Sequence, residues 1–419
     1  MAGAKSGLFL EREADSIAAL KLPERSNIAS PNVRQADIDL LQRAPRDFID
    51  TTHFDTVRFP PPAWAAQRFQ RAANDGALAY TGYRGNEQVL EAVALNVSGL
   101  LGIAVDPKKN IVLTPGTQAA LFGALSARVN RGERVVVMDP DYLFTARMLR
   151  FLGADVGYVP LRLDDAGRYT PDLDVLEAEF AERGARHLVF SHPNNPTGTV
   201  YPRATVAAIA ALARKHGVSV VVDELYSRLV YGDTEFVHLA AEEGMAAQTV
   251  TLLGPSKTES LSGYRLGVLV GNEQLIRSVE NVLSITSLRA PAYAQHVLSG
   301  WLVDDAEWLA GRIQEFKALQ AMTVNALGAL NWLRLYPQQG TAYLWPDVSA
   351  LELSDAEVAA ALLERAGVLV SPGYQFGPNA AGHFRVCYAR DEKGWEAALQ
   401  RMVGVLGDLA AAKGGTLRG

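Results

Sequence analysis

A chain of 419 residues, 48% of them hydrophobic and 21% charged, has the make-up of an ordinary globular protein long enough for two domains. Its net charge of −6, without a long basic run, argues against nucleic acid and anionic membrane surfaces and leaves small molecules as the expected ligands. Cys387 is the only cysteine, which excludes an internal disulfide framework and a thiolate-rich metal site and fits a reducing compartment.

The opening MAGAKSGLFLEREAD turns acidic before any apolar stretch of signal-peptide length. No run approaches the roughly 20 apolar residues of a spanning helix, so a cytoplasmic protein is expected. No repeat of roughly 20 to 50 residues appears. What does recur is a short apolar run followed by polar or glycine-rich text. NIVLT (110 to 114), RVVVM (134 to 138), HLVFS (187 to 191), VSVVVD (218 to 223), TVTLL (249 to 253) and RLGVLV (265 to 270) are apolar without alternation, the pattern of strands buried on both faces. Helical segments such as TQAALFGALSARV and RATVAAIAALARKHG lie between them, the second ending at Gly217 as a helix should. The order predicts an α/β fold with a mainly parallel sheet in a large domain. After about residue 300 a long helical stretch, DDAEWLAGRIQEFKALQAMTVNALGAL, precedes strand candidates around 341 to 345, 367 to 371 and 383 to 388. These predict a smaller α+β domain. The expected division is an N-terminal arm and part of the small domain over 1–60, a large domain over 61–300 and a small C-terminal domain over 301–419.

Ligands of open α/β sheets bind beyond the carboxyl ends of the strands, so the text there matters most. NIVLT runs into Pro115, Gly116, Thr117 and Gln118 at a helix start, whose amides suit an anion. RVVVM is followed by Asp139, Pro140, Asp141 and Tyr142, and HLVFS by HPNNPTG with Asn195. VSVVV ends on Asp223 with Tyr226 three residues later; TVTLL leads to Gly254, Pro255, Ser256 and Lys257. Lys257 followed by Thr258 evokes a nucleotide-binding loop, but that loop requires glycine directly before the lysine, and Ser256 stands there. An anion site, an aromatic plate, a carboxylate, a phenol and a lysine on one rim instead match the needs of pyridoxal phosphate. A lysine can form an imine with its aldehyde and move a proton at the substrate Cα. A carboxylate beside the pyridine nitrogen keeps the ring an electron sink.

These motifs, above all PNNPTG with SKTESLSGYRLG, resemble the class I/II aminotransferases among the fold type I pyridoxal-phosphate enzymes, over roughly residues 75 to 390. The resemblance implies an internal aldimine at Lys257, Asp223 paired with the pyridine nitrogen, and Tyr226 and Asn195 on the ring oxygen. It implies Tyr142 stacked on the ring and Gly116, Thr117, Ser256 and Arg265 on the phosphate, with Gln118 beside them. Arg385, in HFRVCYAR, matches the arginine that clamps the substrate α-carboxylate, with Asn195 nearby. Tyr80, in YTGYRG, matches a tyrosine that reaches the neighbouring subunit's phosphate, which implies a homodimer with shared active sites. The implied activity is exchange of an amino group between an L-α-amino acid and a 2-oxo acid, in amino acid metabolism and biosynthesis; no metal is expected. A lyase, decarboxylase or oxidase acting on an amino acid is the alternative, because the cofactor stabilises any Cα carbanion. A cofactor-binding regulator would carry a DNA-binding module ahead of this domain, for which the short acidic N-terminus leaves no room. Family members usually carry a glycine ahead of the N-terminal proline-rich segment, and DTTHFDTVRFPPP (50 to 62) has none. His53, Phe54 or Arg58 is therefore a candidate for the substrate pocket, and Arg289 a candidate contact to a partner's phosphate or a distal carboxylate.

Overall fold

The valine-rich runs form the centre of an eight-stranded sheet. The structure, a computed structural model, describes residues 14–18, 44–54, 59–76 and 79–413. Strand β1 is Ile49–Asp50; the large sheet contains β2 (Ile111–Thr114), β3 (Arg134–Asp139), β4 (Asp155–Leu163), β5 (Tyr169–Pro171), β6 (His187–Ser191), β7 (Ser219–Asp223), β8 (Thr249–Leu253) and β9 (Gly267–Val270). Their order is β2-β9-β8-β7-β6-β3-β4-β5. The neighbours from β4 through β3, β6 and β7 to β8 are parallel, whereas β9 runs antiparallel to both β2 and β8 and β5 antiparallel to β4.

Both faces are covered, which explains the missing alternation. Val135 and Val137 of β3 pack with Leu121 and Ala124 of the Thr117–Arg128 helix and Val279 of the Glu273–Ile285 helix. Val136 and Met138 face the other way, toward Phe180 of the Leu173–Ala181 helix and Ile209 of the Arg203–His216 helix. Each of these side chains, buried fully, stabilises the fold by about 1.5 to 3 kcal/mol. The Arg203–His216 helix ends where Gly217 turns left-handed at φ 64°, as its sequence predicts.

Beyond β9 the long predicted helix forms over Ala306–Leu327. The remaining strands are β10 (Tyr343–Leu344), β11 (Val368–Leu369), β12 (Ser371–Pro372) and β13 (Phe384–Cys387). Strands β10, β13 and β12 make an antiparallel sheet, and β11 pairs in parallel with β1, so residues 49–50 join the C-terminal part of the fold. Trp395 of the Glu392–Ala412 helix is fully buried, and its indole N–H donates to Thr323 Oγ1 at 2.8 Å, locking that helix to the Ala306–Leu327 helix.

Register brings the functional text to one edge. Thr114 lies opposite Gly267, Ser191 opposite Asp223, and Asp223 opposite Leu252. The loops after β2, β6, β7 and β8 therefore leave the sheet side by side.

Candidate active site

Three glycines close the sheet edge around the start of the Thr117–Arg128 helix. Gly116 sits at φ 89°, and a Cβ there would collide with the Arg265 guanidinium. A Cβ on Gly267 would lie 2.6 Å from the Thr117 amide nitrogen, and one on Gly254 2.9 Å from Thr117 Oγ1. The first-turn amides, Thr117, Ser256 and Arg265 thus meet at one point. Thr117 Oγ1 donates to Leu253 O at 3.4 Å and Ser256 Oγ to Leu266 O at 3.5 Å, both long bonds that a better acceptor would displace. Arg265 is exposed, donates to Ser262 O at 3.0 Å, and forms no ion pair among the described residues. The guanidinium and the helix start are two cationic elements side by side, and the first turn of the helix holds no acidic residue.

A cavity of about 180 Å³ opens beside this point, with Asp223, Lys257, Tyr226, Tyr142, Asn195 and Arg385 on its walls. Asp223 ends β7 and accepts the Leu225 N–H at 3.1 Å. Burial pushes its carboxyl up to about 6, with the nearby Lys257 charge working against that rise. The Lys257 amine lies 5.6 Å from the centre of the Phe54 ring and has no carboxylate partner among the described residues. Tyr226 is buried, its ring stacked on Phe54 at 6.1 Å and its hydroxyl donating to Tyr343 Oη at 3.0 Å. The Tyr142 hydroxyl donates to Gln118 Oε1 at 2.8 Å, tying the loop after β3 to the helix start, and burial raises its pKa.

The opposite wall carries a buried cation. Arg385 of β13 is only 3% exposed, donates to Asn195 Oδ1 at 2.8 Å and to the Thr52 carbonyl at 2.6 Å, and has an Nε without a partner. Its guanidinium lies 4.0 Å from the Tyr343 ring centre and 4.9 Å from that of Phe376. No carboxylate pairs with it among the described residues. A buried guanidinium without a counter-ion is a costly arrangement that an incoming carboxylate relieves. Because Asn195 Oδ1 is taken by Arg385, its amide nitrogen is left to donate into the cavity.

Asp141 organises this wall from beneath. Its carboxylate accepts the Ser191 N–H at 3.0 Å, Asn194 Nδ2 at 3.1 Å and the Tyr142 N–H at 2.6 Å, and burial pushes it up to about 8.

The other candidates fall elsewhere. Tyr80 is 76% exposed and outside the cavity; the Arg289 guanidinium covers its ring at 4.9 Å and that of Tyr83 at 5.1 Å. His53 points at Asp50, with Nδ1 3.3 Å from Oδ2, and is mostly exposed. Phe54 is the exception, a core residue whose ring packs on Tyr226 beside the Lys257 amine, and Arg58 lies outside the described residues. Sequence reasoning missed Thr52, Leu143, Phe144, Leu225 and Tyr343 on the cavity wall. The signal they carried was adjacency: Leu143 and Phe144 follow Tyr142, Leu225 precedes Tyr226 and Thr52 precedes His53, whereas Tyr343 had no such neighbour.

Residues 51–402 match the family described as aminotransferase class I and II, and the chain belongs to that family. It is 30% identical to the aspartate/prephenate aminotransferase of Thermus thermophilus over 352 residues, 83% of this chain and 89% of that one. It is 31% identical to the arginine–pyruvate transaminase of Pseudomonas aeruginosa over 320 residues, 75% of this chain and 80% of that one. The crystal structure of an aspartate aminotransferase from Rhodobacter sphaeroides superposes with a TM-score of 0.84 at 34% identity, covering 90% of this chain and 99% of the other. The protein is a fold type I aminotransferase that exchanges amino groups between amino acids and 2-oxo acids.

Proposed function

We propose that this aminotransferase holds pyridoxal 5'-phosphate in the cavity at the sheet edge, attached to Lys257, and passes an amino group from an L-α-amino acid to a 2-oxo acid there. The observation that carries the reading is the cavity shared by a lysine, a half-buried carboxylate and a buried guanidinium, with neither cation ion-paired among the described residues. When bound, the cofactor supplies an aldehyde for covalent attachment and a protonated ring that draws electrons from the substrate Cα. The helix-start amides, Gly116, Thr117, Ser256 and Arg265 would hold its phosphate, with Gln118 beside them. Asp223 would hold the proton on its ring nitrogen, Tyr226 and the Asn195 amide would donate to its ring oxygen, and Tyr142 would lie against the ring. Arg385 would grip the substrate α-carboxylate, which orients the Cα–H bond for the proton that Lys257 removes. The purified protein is expected to be yellow. Its visible band should fall when an amino donor is added and return with a 2-oxo acid; a protein that stays colourless on titration with pyridoxal phosphate would refute the reading.

The enzyme is proposed as a cytoplasmic homodimer in amino acid biosynthesis, with the arm, large domain and small domain divided near residues 60 and 300. Among the described residues no helix is long and apolar enough to cross a membrane. Support for the dimer is the exposed apolar surface around Tyr80, Tyr83, Ile285 and Leu288. Tyr80 cannot serve its own cavity from that surface, and it would reach the partner's cofactor phosphate. A Tyr80→Ala variant mixed with a Lys257→Ala variant, each impaired alone, should regain part of the activity, since some heterodimers keep one intact site. Full activity from a verified monomer would end the shared-site reading and leave the chemistry at Lys257 untouched.

A further inference from the structure

Two residues beyond Lys257, and two beyond Tyr226, lies a buried charge cluster that none of the roles above uses. Arg228 donates from Nη1 and Nη2 to the two carboxylate oxygens of Asp305, both at 2.8 Å, and also from Nη1 to Glu259 Oε1. Thr258, next to Lys257, donates its hydroxyl to the other Glu259 oxygen. Asp305, directly ahead of the Ala306–Leu327 helix, accepts the Leu302 N–H at 3.1 Å. The side chains of Glu259 and Asp305 are wholly inaccessible to solvent, and that of Arg228 is 15% exposed.

The connectivity is informative. Arg228 belongs to the loop that follows Asp223 at the end of β7 and carries Tyr226. Glu259 belongs to the loop after β8, which carries Lys257 and is closed on itself by the Leu261 N–H donating to Pro255 O at 3.1 Å. The guanidinium fork is therefore a cross-link between the two loops that hold the reacting groups, anchored to a third element through Asp305. An apolar trio of the same volume would hold the fold as well as buried ions do. What a bidentate fork adds is fixed direction. With two carboxyls facing one guanidinium, burial raises the pKa of Glu259, while Arg228 and then Thr258 pull it down.

We propose that Arg228, Glu259 and Asp305 are positioning residues for amino transfer, a clamp that fixes where the Lys257 amine stands relative to Asp223 and Tyr226. The inference rests on the reading of Lys257 as the covalent group. A displacement of about 1 Å in such a group can lower a rate about 100-fold.

The test uses the full-length, cofactor-loaded protein with Glu259→Gln, which keeps size and removes the charge, and Arg228→Lys, which keeps charge and removes the fork. Both are expected to lower kcat about 10- to 100-fold while KM for the amino donor stays within about threefold, because Arg385 is untouched. The pH midpoint of the visible band should move, and amide exchange over residues 254–261 of the cofactor-free variants should quicken. Thr258→Val, which removes only one hydroxyl, covers the case in which both variants misfold, and should cost several-fold in kcat with KM unchanged. Wild-type kcat and band midpoint in the variants that fold would overturn the clamp. Lys257→Ala, run alongside, separates the two readings: its activity would refute the role of Lys257, whereas an inactive Lys257→Ala beside normal clamp variants would refute the clamp alone.

Discussion

Lys257→Ala is expected to lower kcat by about four orders of magnitude or more, the largest loss from any single side chain of the site. In the proposed function the substitution removes two roles together, the covalent anchor and the base that moves the Cα proton. Neither has a substitute in the cavity. Tyr226 and Tyr142 are phenols whose pKa values burial raises. Lys257 is half-buried and unpaired among the described residues, so its loss leaves no orphaned charge and the fold should persist. Single-turnover assays with a donor and an oxo acid, beside a melting curve, check both halves. Normal turnover in a folded Lys257→Ala protein would remove the basis of the assignment.

Asp223→Asn should follow, with kcat lower by about two to four orders of magnitude, because a neutral amide cannot hold a proton on the ring nitrogen. Asp223→Glu should lose less. The acidity of this carboxyl adds a sign that can be checked. Its pKa in the fold, about 6, stands above the ordinary 3.8 because burial disfavours the charge. The empty protein therefore holds this proton more tightly folded than unfolded, and the group's contribution to stability is present below 3.8 and lost as pH rises through about 6. Binding has the opposite sense, since only the ionised carboxylate can pair with a protonated ring. Cofactor affinity should weaken as pH falls below about 6, and this component should vanish in Asp223→Asn. Identical pH profiles for the two proteins would move the pairing role to another group.

The sheet was legible because each central strand is buried on both faces and each ends in polar or glycine-rich text. Asp155–Leu163 was missed because it lies near the sheet margin, where its burial alternates and a proline interrupts the apolar run. The direction of β9 is invisible to periodicity, which is the same for parallel and antiparallel strands. Of the candidate residues on the cavity wall, Lys257 and Asp223 could be singled out by their chemistry at the strand ends, and Arg385 only through the family resemblance. Thr52 could not, because it contributes a backbone carbonyl, which has no sequence signature. The two carboxylates of DPDY look equivalent in sequence, yet Asp141 binds the loop after β6 while Asp139 accepts the Asn379 N–H at 2.9 Å. Arg228 and Asp305, 77 positions apart, become neighbours only through the fold.

The central claim is that the cofactor is held covalently by one lysine at the edge of the sheet. Reduction of the yellow protein with borohydride, followed by digestion and peptide mass mapping, tests it most directly. The account predicts a phosphopyridoxyl adduct on the peptide containing Lys257 and none in the Lys257→Ala variant. An adduct confined to another lysine, or undiminished in that variant, would contradict it.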